Sequence, residues 1–436
     1  MLNLFDRKIN NGPSGWLSPE LSGKSIYLAI IIAFVAAMFA FLFLLSRFYR
    51  SSEMHGNQNY ITARDNLLSA VRIGMQNNQL VGFNEHKEID LYSDNTSLIN
   101  LKKKYWGVYG IISTSTVFQQ DTISLNALYG LRILGDTKTG LYIADHGHYL
   151  AIAGDSYLSG DCFLPKLGGR KAYIDGRSFR YSRIVDGSIL QSKSELPRLQ
   201  ESFISYCKDE LFNNSMTDQQ VSENALNSDD IVRSFTEPSL HIHSTDAIRL
   251  DKLSLAGNII VQSDTKIVID PNAELDQVIC VAPNIYISSG FEGRIQCFAI
   301  DTLVVESGVR LKYPAAVAVM GFERSTALLK ISEDAVVEGG VLVWAEMEKG
   351  EKAELEIDPG ARISGIAYSS GTTEHRGRIT GSLFCDKLVL QTRQGYYENH
   401  LLDAWVDPLS IEPSFGSAIS MQNIDENNKQ IIKWLN

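Results

Sequence analysis

Two histidine pairs have the spacing of metal ligands. His146 lies two residues before His148, and His241 lies two residues before His243. On a strand, residues two apart point to the same face, as two ligands of one ion would. Zinc needs a third and usually a fourth ligand, and no Cys-x-x-Cys or His-Glu-x-x-His pattern accompanies these pairs. We therefore interpret all four as surface or loop residues and predict no metal site, unless both pairs converge on one face.

The cysteines are candidates for nucleophilic or redox chemistry. Cys280 and Cys297 stand in the similar segments VICVA and IQCFA, so we expect them at equivalent positions on neighbouring strands. A disulfide is the alternative, but the total of five is odd and stacked parallel positions do not ensure bridge geometry. We predict free thiols here and assign no role to Cys162, Cys207 or Cys385.

Carboxylates are the remaining candidates for catalysis. The sequence has acids at turn positions of a repeat, where an Asx-type turn, in which the side chain accepts a hydrogen bond from the nearby backbone, explains them. These residues are Asp270, Glu306 and Asp358, with Asp251, Asp301 and Asp386 in similar settings. No paired carboxylates, Gly-rich phosphate loop or Gly-x-Ser-x-Gly pattern stands out. We therefore predict no catalytic residue, no cofactor and no enzymatic activity.

The repeat itself is the element that would position any site. Its clearest copies are IVIDPNAEL (267–275), IYISSGFEG (285–293), LVVESGVRL (303–311), LKISEDAVV (329–337) and LEIDPGARI (355–363). Each copy has apolar residues two apart, as on a strand, followed by a Pro-Asn, Ser-Gly or Pro-Gly type of turn.

The spacing of the copies predicts stacked coils. The first three copies begin at 267, 285 and 303 and the next two at 329 and 355, which fits a coil of fixed length that is enlarged by insertions near Met320–Thr326 and Glu346–Lys352. At about 3.3 Å per residue the perimeter is roughly 60 Å, which suits three sides. Residues 248–390 would then give about eight coils, roughly 40 Å in height. The predicted fold is mainly β: a parallel β-helix with an N-terminal transmembrane helix and a small α+β connecting region.

A membrane helix is predicted near the N-terminus. Ile26–Leu45 carries no charge, and at 1.5 Å per residue a helix of this length spans a bilayer core of about 30 Å. A cleaved signal peptide is the alternative, but its apolar region is shorter and Ser46–Arg50 is a poor cleavage site. Three basic residues precede the segment (Arg7, Lys8 and Lys24) and two follow it (Arg47 and Arg50), which favours a cytoplasmic N-terminus.

Helical and aromatic segments flank the repeat. Leu199, Phe203, Cys207 and Leu211 have helical spacing, and we expect an amphipathic helix that covers an open end of the stack or binds a partner. The tail after Gln391 loses the repeat. Its aromatic residues, Tyr396, Tyr397, Trp405 and Phe415, cap the other end or contact sugar rings.

A cationic run, Lys102–Lys104, precedes the aromatic pair Tyr105 and Trp106. An anionic lipid or glycan site is one interpretation, and a solvated charge run beside a buried aromatic residue is the other. The whole chain has a formal net charge of −11, which argues against a nucleic-acid binder.

The chain divides into seven predicted regions. They are a cytoplasmic tail (1–25), the transmembrane helix (26–45), a juxtamembrane helix at about 59–80 plus a small β-rich domain (together 46–140), first β-helix coils (141–195), a helical or polar insertion or cap (196–238), the main β-helix (239–392) and a C-terminal cap or tail (393–436).

The hydrophobic triplets and the Asp/Ser-x-Gly/Asn corners of residues 248–390 resemble those of bactofilins and related polymer-forming bacterial proteins. That resemblance implies a right-handed parallel β-helix that stacks end to end into a cytoskeletal or envelope scaffold without nucleotide. The chain differs from them in its membrane span and in the long stretch before the clear copies. Its overall architecture is similar to that of membrane-anchored bacterial envelope proteins.

These features together predict a structural or binding component of a bacterial cell-envelope assembly. We expect a single pass through the inner membrane, an extracytoplasmic C-terminal domain, and contacts with lipid and with protein partners or further copies of the chain. One alternative is a carbohydrate-binding or carbohydrate-active β-helix with a glycan ligand. The other is a subunit of a secretion or pilus-like machine.

Overall fold

The computed structural model describes most of the chain. The described residues are 23–77, 80–92, 98–118, 121–132, 138–213, 219–222, 226, 230–322, 326–346, 352–418 and 429–435. Within them the protein is mainly β, with one long apolar helix near the N-terminus. The predicted tail 1–25 lies outside this set except for its last three residues. Parts of the predicted insertion or cap 196–238 and of the two insertions predicted within the repeat also lie outside it.

The helix α1 runs without a break from Gly23 to Gln76. It is long and apolar enough to cross a membrane, as the uncharged segment 26–45 predicts. The separate juxtamembrane helix predicted at 59–80 is instead the end of α1. Between Lys24 and Ile73 the only helix-breaking residue type is the single Gly56, which costs about 1 kcal/mol and is tolerated.

Four antiparallel strands follow α1. They are β1 (His86–Asp90), β2 (Leu98–Trp106), β3 (Tyr109–Phe118) and β4 (Asp121–Arg132), paired in chain order. The last turns of α1 pack on this sheet through buried Leu67, Val71 and Met75. Gly74 makes the approach possible, because a Cβ there would lie 2.5 Å from the Leu101 side chain.

Short strands, a helical segment and then long strands make up the middle of the chain. The short strands are β5 (Thr139–Ile143), β6 (Leu150–Ala153), β7 (Tyr157–Leu158), β8 (Asp161–Leu164), β9 (Gly169–Lys171), β10 (Tyr173–Ile174), β11 (Arg177–Ser178) and β12 (Ile189–Gln191). The helical segment consists of α2 (Glu201–Ser205) and a π-helix (Tyr206–Phe212).

The remaining strands begin after the helical segment. They are β13 (Gln219–Ser222), β14 (Asp230–Arg233), β15 (Leu240–Ser244), β16 (Ile248–Leu250), β17 (Ser254–Ser263), β18 (Lys266–Ile269), β19 (Glu274–Ile287), β20 (Glu292–Val305), β21 (Arg310–Gly321), β22 (Thr326–Ile331), β23 (Val336–Ala345), β24 (Lys352–Ile357), β25 (Arg362–His375), β26 (Arg378–Thr392), β27 (Gly395–Glu398), β28 (His400–Leu402), β29 (Trp405–Val406), β30 (Gly416–Ser417) and β31 (Lys429–Leu435).

The repeat copies pair in parallel and in register. Ile267 is opposite Ile285, Ile285 opposite Leu303, Leu303 opposite Leu329, and Leu329 opposite Leu355. The shorter and the longer spacing between copies therefore both bring equivalent positions together, as the sequence predicts. The pairings of these parallel strands form a closed set.

Each copy also ends in the same turn. The amide of its seventh residue donates to the carbonyl of its fourth, at 3.1–3.3 Å in all five copies. The sixth residue has positive φ at Gly290 (83°), Gly308 (70°), Asp334 (59°) and Gly360 (80°). The seventh residue points inward and is buried. The conformation of the turn is determined by its own residues, since their types allow the φ values that it requires.

The N-terminal strands do not precede the repeat in space. β5 pairs in parallel with β26, with Leu141 opposite Leu383, and β8 and β12 follow in turn. β5, β7, β8 and β12 thus join the same set of parallel strands, beyond its last long strand, whereas β6 pairs with β28 and β9, and β10 pairs with β11, in separate sheets. The placement of β5 follows from a pairing partner far along the chain, which no local pattern encodes.

Two large apolar clusters stabilise the protein. One lies between the inward faces of the parallel strands and contains the repeat residues. The other, the lateral cluster, lies on an outer face of those strands, where residues such as Phe298 and Ile279 pack with the antiparallel sheet and the end of α1. Burying a side chain of this size contributes about 1.5–3 kcal/mol, so both clusters are large stabilising terms.

The predicted caps lie elsewhere. Leu199, Phe203, Cys207 and Leu211 are buried in the lateral cluster, so this helical segment fills the side of the strands and not an end. In the tail, β28 and β29 pair with β6 and β7, while β30 and β31 extend the antiparallel sheet next to β4. The tail therefore adds strands to three sheets: β28 to the sheet of β6, β29 to the closed parallel set, and β30 and β31 to the antiparallel sheet.

Candidate functional site

The histidine pairs do not converge. His146 Nε2 lies 2.8 Å from Asp386 Oδ1 beside β26, whereas His243 Nε2 lies 2.9 Å from Asp264 Oδ1 near β15. These strands are far apart in the pairing order. Within the described residues, no group of three His, Cys, Asp or Glu side chains could hold a metal ion. The two carboxylate contacts account for His146 and His243, and His148 is exposed.

The prediction of a surface or loop residue is wrong for His241, which is buried on β15. Its side chain lies on the opposite side of the strand from the neighbouring Ile242, but it is covered by packing there.

The cysteines are buried free thiols. Cys280 and Cys297 are directly opposite each other on β19 and β20, as predicted, and no disulfide joins them. Burial raises the pKa of the Cys297 thiol well above its usual value, and the adjacent Cys280 raises it further. Burial also raises the pKa of Cys162 to about 12. A protonated, buried thiol is a poor nucleophile.

The acids at the turns join neighbouring copies. Asp270 Oδ1 accepts a hydrogen bond from Arg249 Nη2 at 3.0 Å, and Glu306 Oε2 accepts one from the amide of Ser289 at 2.9 Å. Lys330 Nζ lies 3.5 Å from Asp358 Oδ2. The predicted bond from each acid to its own turn is therefore wrong at these positions, because the parallel register brings a donor from the adjacent strand closer.

The cationic run is divided between two faces of β2. Lys102 is exposed, but Lys103 is buried, and its Nζ lies 5.3 Å from the centre of the Phe83 ring. Tyr105 and Trp106 are buried in the lateral cluster. The three lysines thus do not form one cationic surface for a lipid or glycan.

A different group of side chains comes together at β29 and β7. Arg362 is opposite Arg378, Arg378 opposite Trp405, and Trp405 opposite Tyr157. The Arg378 guanidinium lies 4.3 Å above the Trp405 ring, and the Trp405 and Tyr157 ring centres are 4.3 Å apart. Parallel pairing therefore builds a ladder of guanidiniums and aromatic rings on one outer face.

A turn before β7 positions Tyr157. Gly154 has a φ of 64°, and a Cβ there would lie 2.2 Å from Asp403 Oδ1. That same carboxylate oxygen accepts a hydrogen bond from the Asp155 amide at 3.0 Å. Ser156 Oγ accepts one from the Ala404 amide at 3.1 Å. Residues 154–156 are thus tied to the segment that carries Trp405, and the two rings meet as a result.

A cleft of about 210 Å³ opens beside Tyr157. The Tyr157 hydroxyl donates to Asp186 Oδ2 at 2.9 Å, and the Tyr181 ring centre lies 5.8 Å from that of Tyr157. Arg183 also lines the cleft. Partial burial, together with the neighbouring Asp186, raises the pKa of Tyr157, so this hydroxyl stays protonated as a donor. We call this group, together with the adjoining Trp405 and Arg378, which do not line the cavity itself, the arginine–aromatic cleft.

The charges at the cleft are unevenly paired. Arg180 Nη1 lies 3.1 Å from Asp155 Oδ1, and Arg177 pairs with Asp403. In the part of the chain that the structure describes, Arg183, Arg362 and Arg378 have no carboxylate within ion-pairing distance. The Arg378 guanidinium contacts the Trp405 ring instead of a carboxylate.

Sequence reasoning identified only part of this cleft. It named Trp405 among aromatic residues of the tail that could contact sugar rings, but not Tyr157, Tyr181, Arg183 or Arg378. Tyr157 and Trp405 are far apart in the chain and belong to short strands outside the clear copies, so no spacing rule connects them. The similarity of LAIAGDSYL (150–158) to LSLAGNIIV (253–261) was the available signal, since Gly154 and Gly257 both have positive φ.

Comparison with known proteins found no matching family model, no similar curated protein and no similar solved structure.

Proposed function

We propose that the parallel strands form a β-helix. The long strand β19 supports this, because its first part pairs with β17 and its second part with the separate strand β18. One continuous strand lying above two consecutive shorter ones is what successive coils around a corner produce. The same arrangement explains why the strand pairings form a closed set, since each coil returns to the side on which it began.

The proposed function is that of a membrane-anchored scaffold in a bacterial cell envelope. The carrying observation is the in-register pairing of five repeat copies in a chain whose first helix is long enough to span a bilayer. A stacked repeat offers an extended, preformed surface, and an anchor confines it to two dimensions, which favours assembly with partners. The resemblance of the copies to bactofilins supports the same role.

The proposed location is the inner membrane, with residues 64–436 outside the cytoplasm. The basic residues before Ile26 outnumber those just after Leu45 by three to two, and this charge balance favours a cytoplasmic N-terminus. Protein partners or further copies of the chain are the proposed binding partners.

Affinity purification of the full chain in mild detergent tests this function. We expect a complex of defined stoichiometry, heavier than one chain by light scattering, that survives a second purification step. The matched control joins residues 1–63 to an unrelated soluble domain and should elute alone. A full chain that also elutes alone and cleaves or binds glycans would contradict the scaffold role.

A further inference from the structure

Cys280 and Cys297 are the two cysteines that the fold brings together. They are directly opposite each other on the neighbouring parallel strands β19 and β20, and both are fully buried in the cluster between the inward faces of the strands. The same row of inward side chains continues with Val261 opposite Cys280 and Val317 opposite Cys297. Two thiols are therefore adjacent in a row that is otherwise aliphatic at this point.

This arrangement meets the main geometric requirements of a disulfide. Neighbouring strands lie about 4.8 Å apart, and a disulfide joins residues whose Cα atoms are about 4.4–6.8 Å apart. Both side chains also point into the same core, so neither strand has to rotate for the sulfurs to meet. The other three cysteines have no cysteine opposite them: Cys162 is opposite Ile189, Cys385 is opposite Ser369 and Ile143, and Cys207 lies in the lateral cluster.

Burial determines when a bridge between these two residues can form. Neither side chain is exposed in the folded protein, and burial raises the pKa of the Cys297 thiol well above its usual value. Thiol–disulfide exchange requires a thiolate that the oxidant can reach. The exchange must therefore take place before β19 and β20 pack, and after packing neither an oxidant nor a reductant reaches the pair.

We propose that Cys280 and Cys297 are a disulfide site, which is oxidised when the chain folds in an oxidising compartment and stays as two thiols when it folds in a reducing one. One thiolate attacks the disulfide of a thiol–disulfide oxidoreductase to give a mixed disulfide, and the second thiolate then displaces the oxidant. The oxidant's S–S bond breaks, the bond between the cysteines forms, and two electrons and two protons pass to the oxidant, which leaves as a dithiol. Oxidation in the cell rests on the proposed location outside the cytoplasm, where disulfides persist.

Cell-free synthesis of the full chain in detergent tests the site independently of location. One reaction contains glutathione disulfide and the other dithiothreitol, and free thiols are alkylated in urea before trypsin is added. Trypsin cuts after Arg294, so a bridge links peptide 267–294 to peptide 295–310 in the mass spectrum. We expect this linked pair as the main cysteine product with glutathione disulfide, and five alkylated cysteines with dithiothreitol. Its absence from a chain with the circular dichroism of the reduced protein would overturn the proposal.

Two variants provide matched controls. Cys280→Val, which introduces the residue type of the neighbouring Val261, should abolish the link, whereas Cys385→Ala should leave its yield unchanged. Equal amounts of Cys297 in other links in the Cys280→Val chain would show that pairing is unspecific and would overturn the site. Dithiothreitol should also reduce the bridge at least about tenfold more slowly in native buffer than in urea, because the sulfurs are buried. Equal rates would overturn the argument from burial.

The chain isolated from cell membranes tests the cellular part of the proposal. After alkylation in urea it should contain the same linked pair of peptides. A chain that forms the link during cell-free synthesis, but has free thiols when it is isolated from membranes, would overturn the proposed extracytoplasmic location and not the site itself.

Discussion

At the scale of single residues, one glycine in a repeat turn and one inside β23 show how backbone conformation selects residue type. Gly308 and Gly339 both have positive φ, at 70° and 153°, but their surroundings differ. A Cβ on Gly308 would meet nothing within 4 Å, whereas one on Gly339 would lie 1.7 Å from the Ala315 carbonyl oxygen. The first position requires only a conformation, and the second also requires the absence of a side chain.

Gly308→Ala should therefore cost about 1–2 kcal/mol in the free energy of unfolding, which is the left-handed penalty alone. Gly339→Ala should cost at least about 4 kcal/mol, because the backbone of β21 or β23 must move. Urea unfolding followed by circular dichroism measures both, with Ser307→Ala as the exposed control within about 0.5 kcal/mol. Equal losses at the two glycines would show that their surroundings are not as described.

His375 gives the protein a pH-dependent stability. It is buried opposite Ile357, and its Nε2–H donates to the Trp405 carbonyl at 3.2 Å. Burial lowers the pKa of His375 from 6.5 to about 4, and the hydrogen bond to Trp405 opposes this only in part. The folded protein therefore holds a neutral imidazole at pH values where the unfolded chain already binds a proton.

Stability should fall as pH decreases from about 6.5 to about 4, by roughly 3 kcal/mol in total, and should not change further through this group at lower pH. Urea unfolding at several pH values across that range should show this change of the unfolding free energy with pH in the wild type. The change should be smaller in His375→Leu. A slope of the same size in both proteins would assign the effect to other groups.

Sequence reasoning worked at residue level where the chemistry is local. The positions of the copies and the pairing of Cys280 with Cys297 were correct, because strand period and turn preference fix them. The partners of Asp270 and Glu306 were not, because the donor comes from another copy. Arg183 and Tyr181 lie in irregular chain without any period, so the cleft could not be inferred.

At the scale of elements, α1 combines a membrane-length apolar segment with a segment that packs on β-sheet. Its outward apolar residues before Arg47 are exposed, as a lipid-facing surface would be, while Leu67 and Val71 are fully buried. The change from a continuous apolar run to a helical stripe marks the two environments along one helix. The sequence identifies the apolar run as a membrane span, and the helical stripe as a face that packs on other parts of the protein.

Ala33→Arg combined with Ala37→Arg should abolish membrane insertion, because each arginine near the centre of the span costs about 2.5–3.5 kcal/mol. Ala33→Leu with Ala37→Leu is the matched control and should insert normally. Carbonate extraction of membranes separates the outcomes: the leucine variant stays in the pellet and the arginine variant is released. Retention of the arginine variant would exclude this segment as the anchor.

The helical segment of α2 and the π-helix shows the limit of periodicity. Spacing identified the buried side chains Leu199, Phe203, Cys207 and Leu211. It did not identify what they pack against, because a helical stripe specifies a face and not a neighbour. The actual neighbours include Tyr105, whose ring centre lies 5.8 Å from that of Phe203.

At the scale of the whole molecule, one ladder of outward side chains provides positions at which the proposed β-helix can be tested. Val268, Tyr286, Val304, Lys330 and Glu356 are opposite one another in succession, and Glu374 follows Glu356. None of these positions is in the inward-facing core, so a probe there leaves the packing intact.

Spin labels at Val268→Cys and Glu374→Cys should be about 24 Å apart, which is five steps of roughly 4.8 Å. Pulsed electron paramagnetic resonance measures this distance in the full chain, and a second pair at Tyr286→Cys and Glu374→Cys should be about one step shorter. The five native thiols are buried and serve as the unlabelled control. If the two measured distances did not differ by about one strand spacing, the strands would not lie on successive coils.

The position of β5 beyond β26 has a consequence for biosynthesis. Leu141 must wait until the ribosome has reached Leu383 before its strand has a neighbour. At about 5–20 residues per second, the ribosome needs roughly 10–50 s to make the intervening stretch. During this interval the nascent chain carries an apolar strand that has no partner to pair with. Chaperone protection and steady translation therefore matter more here than in a protein whose paired strands are made one after the other.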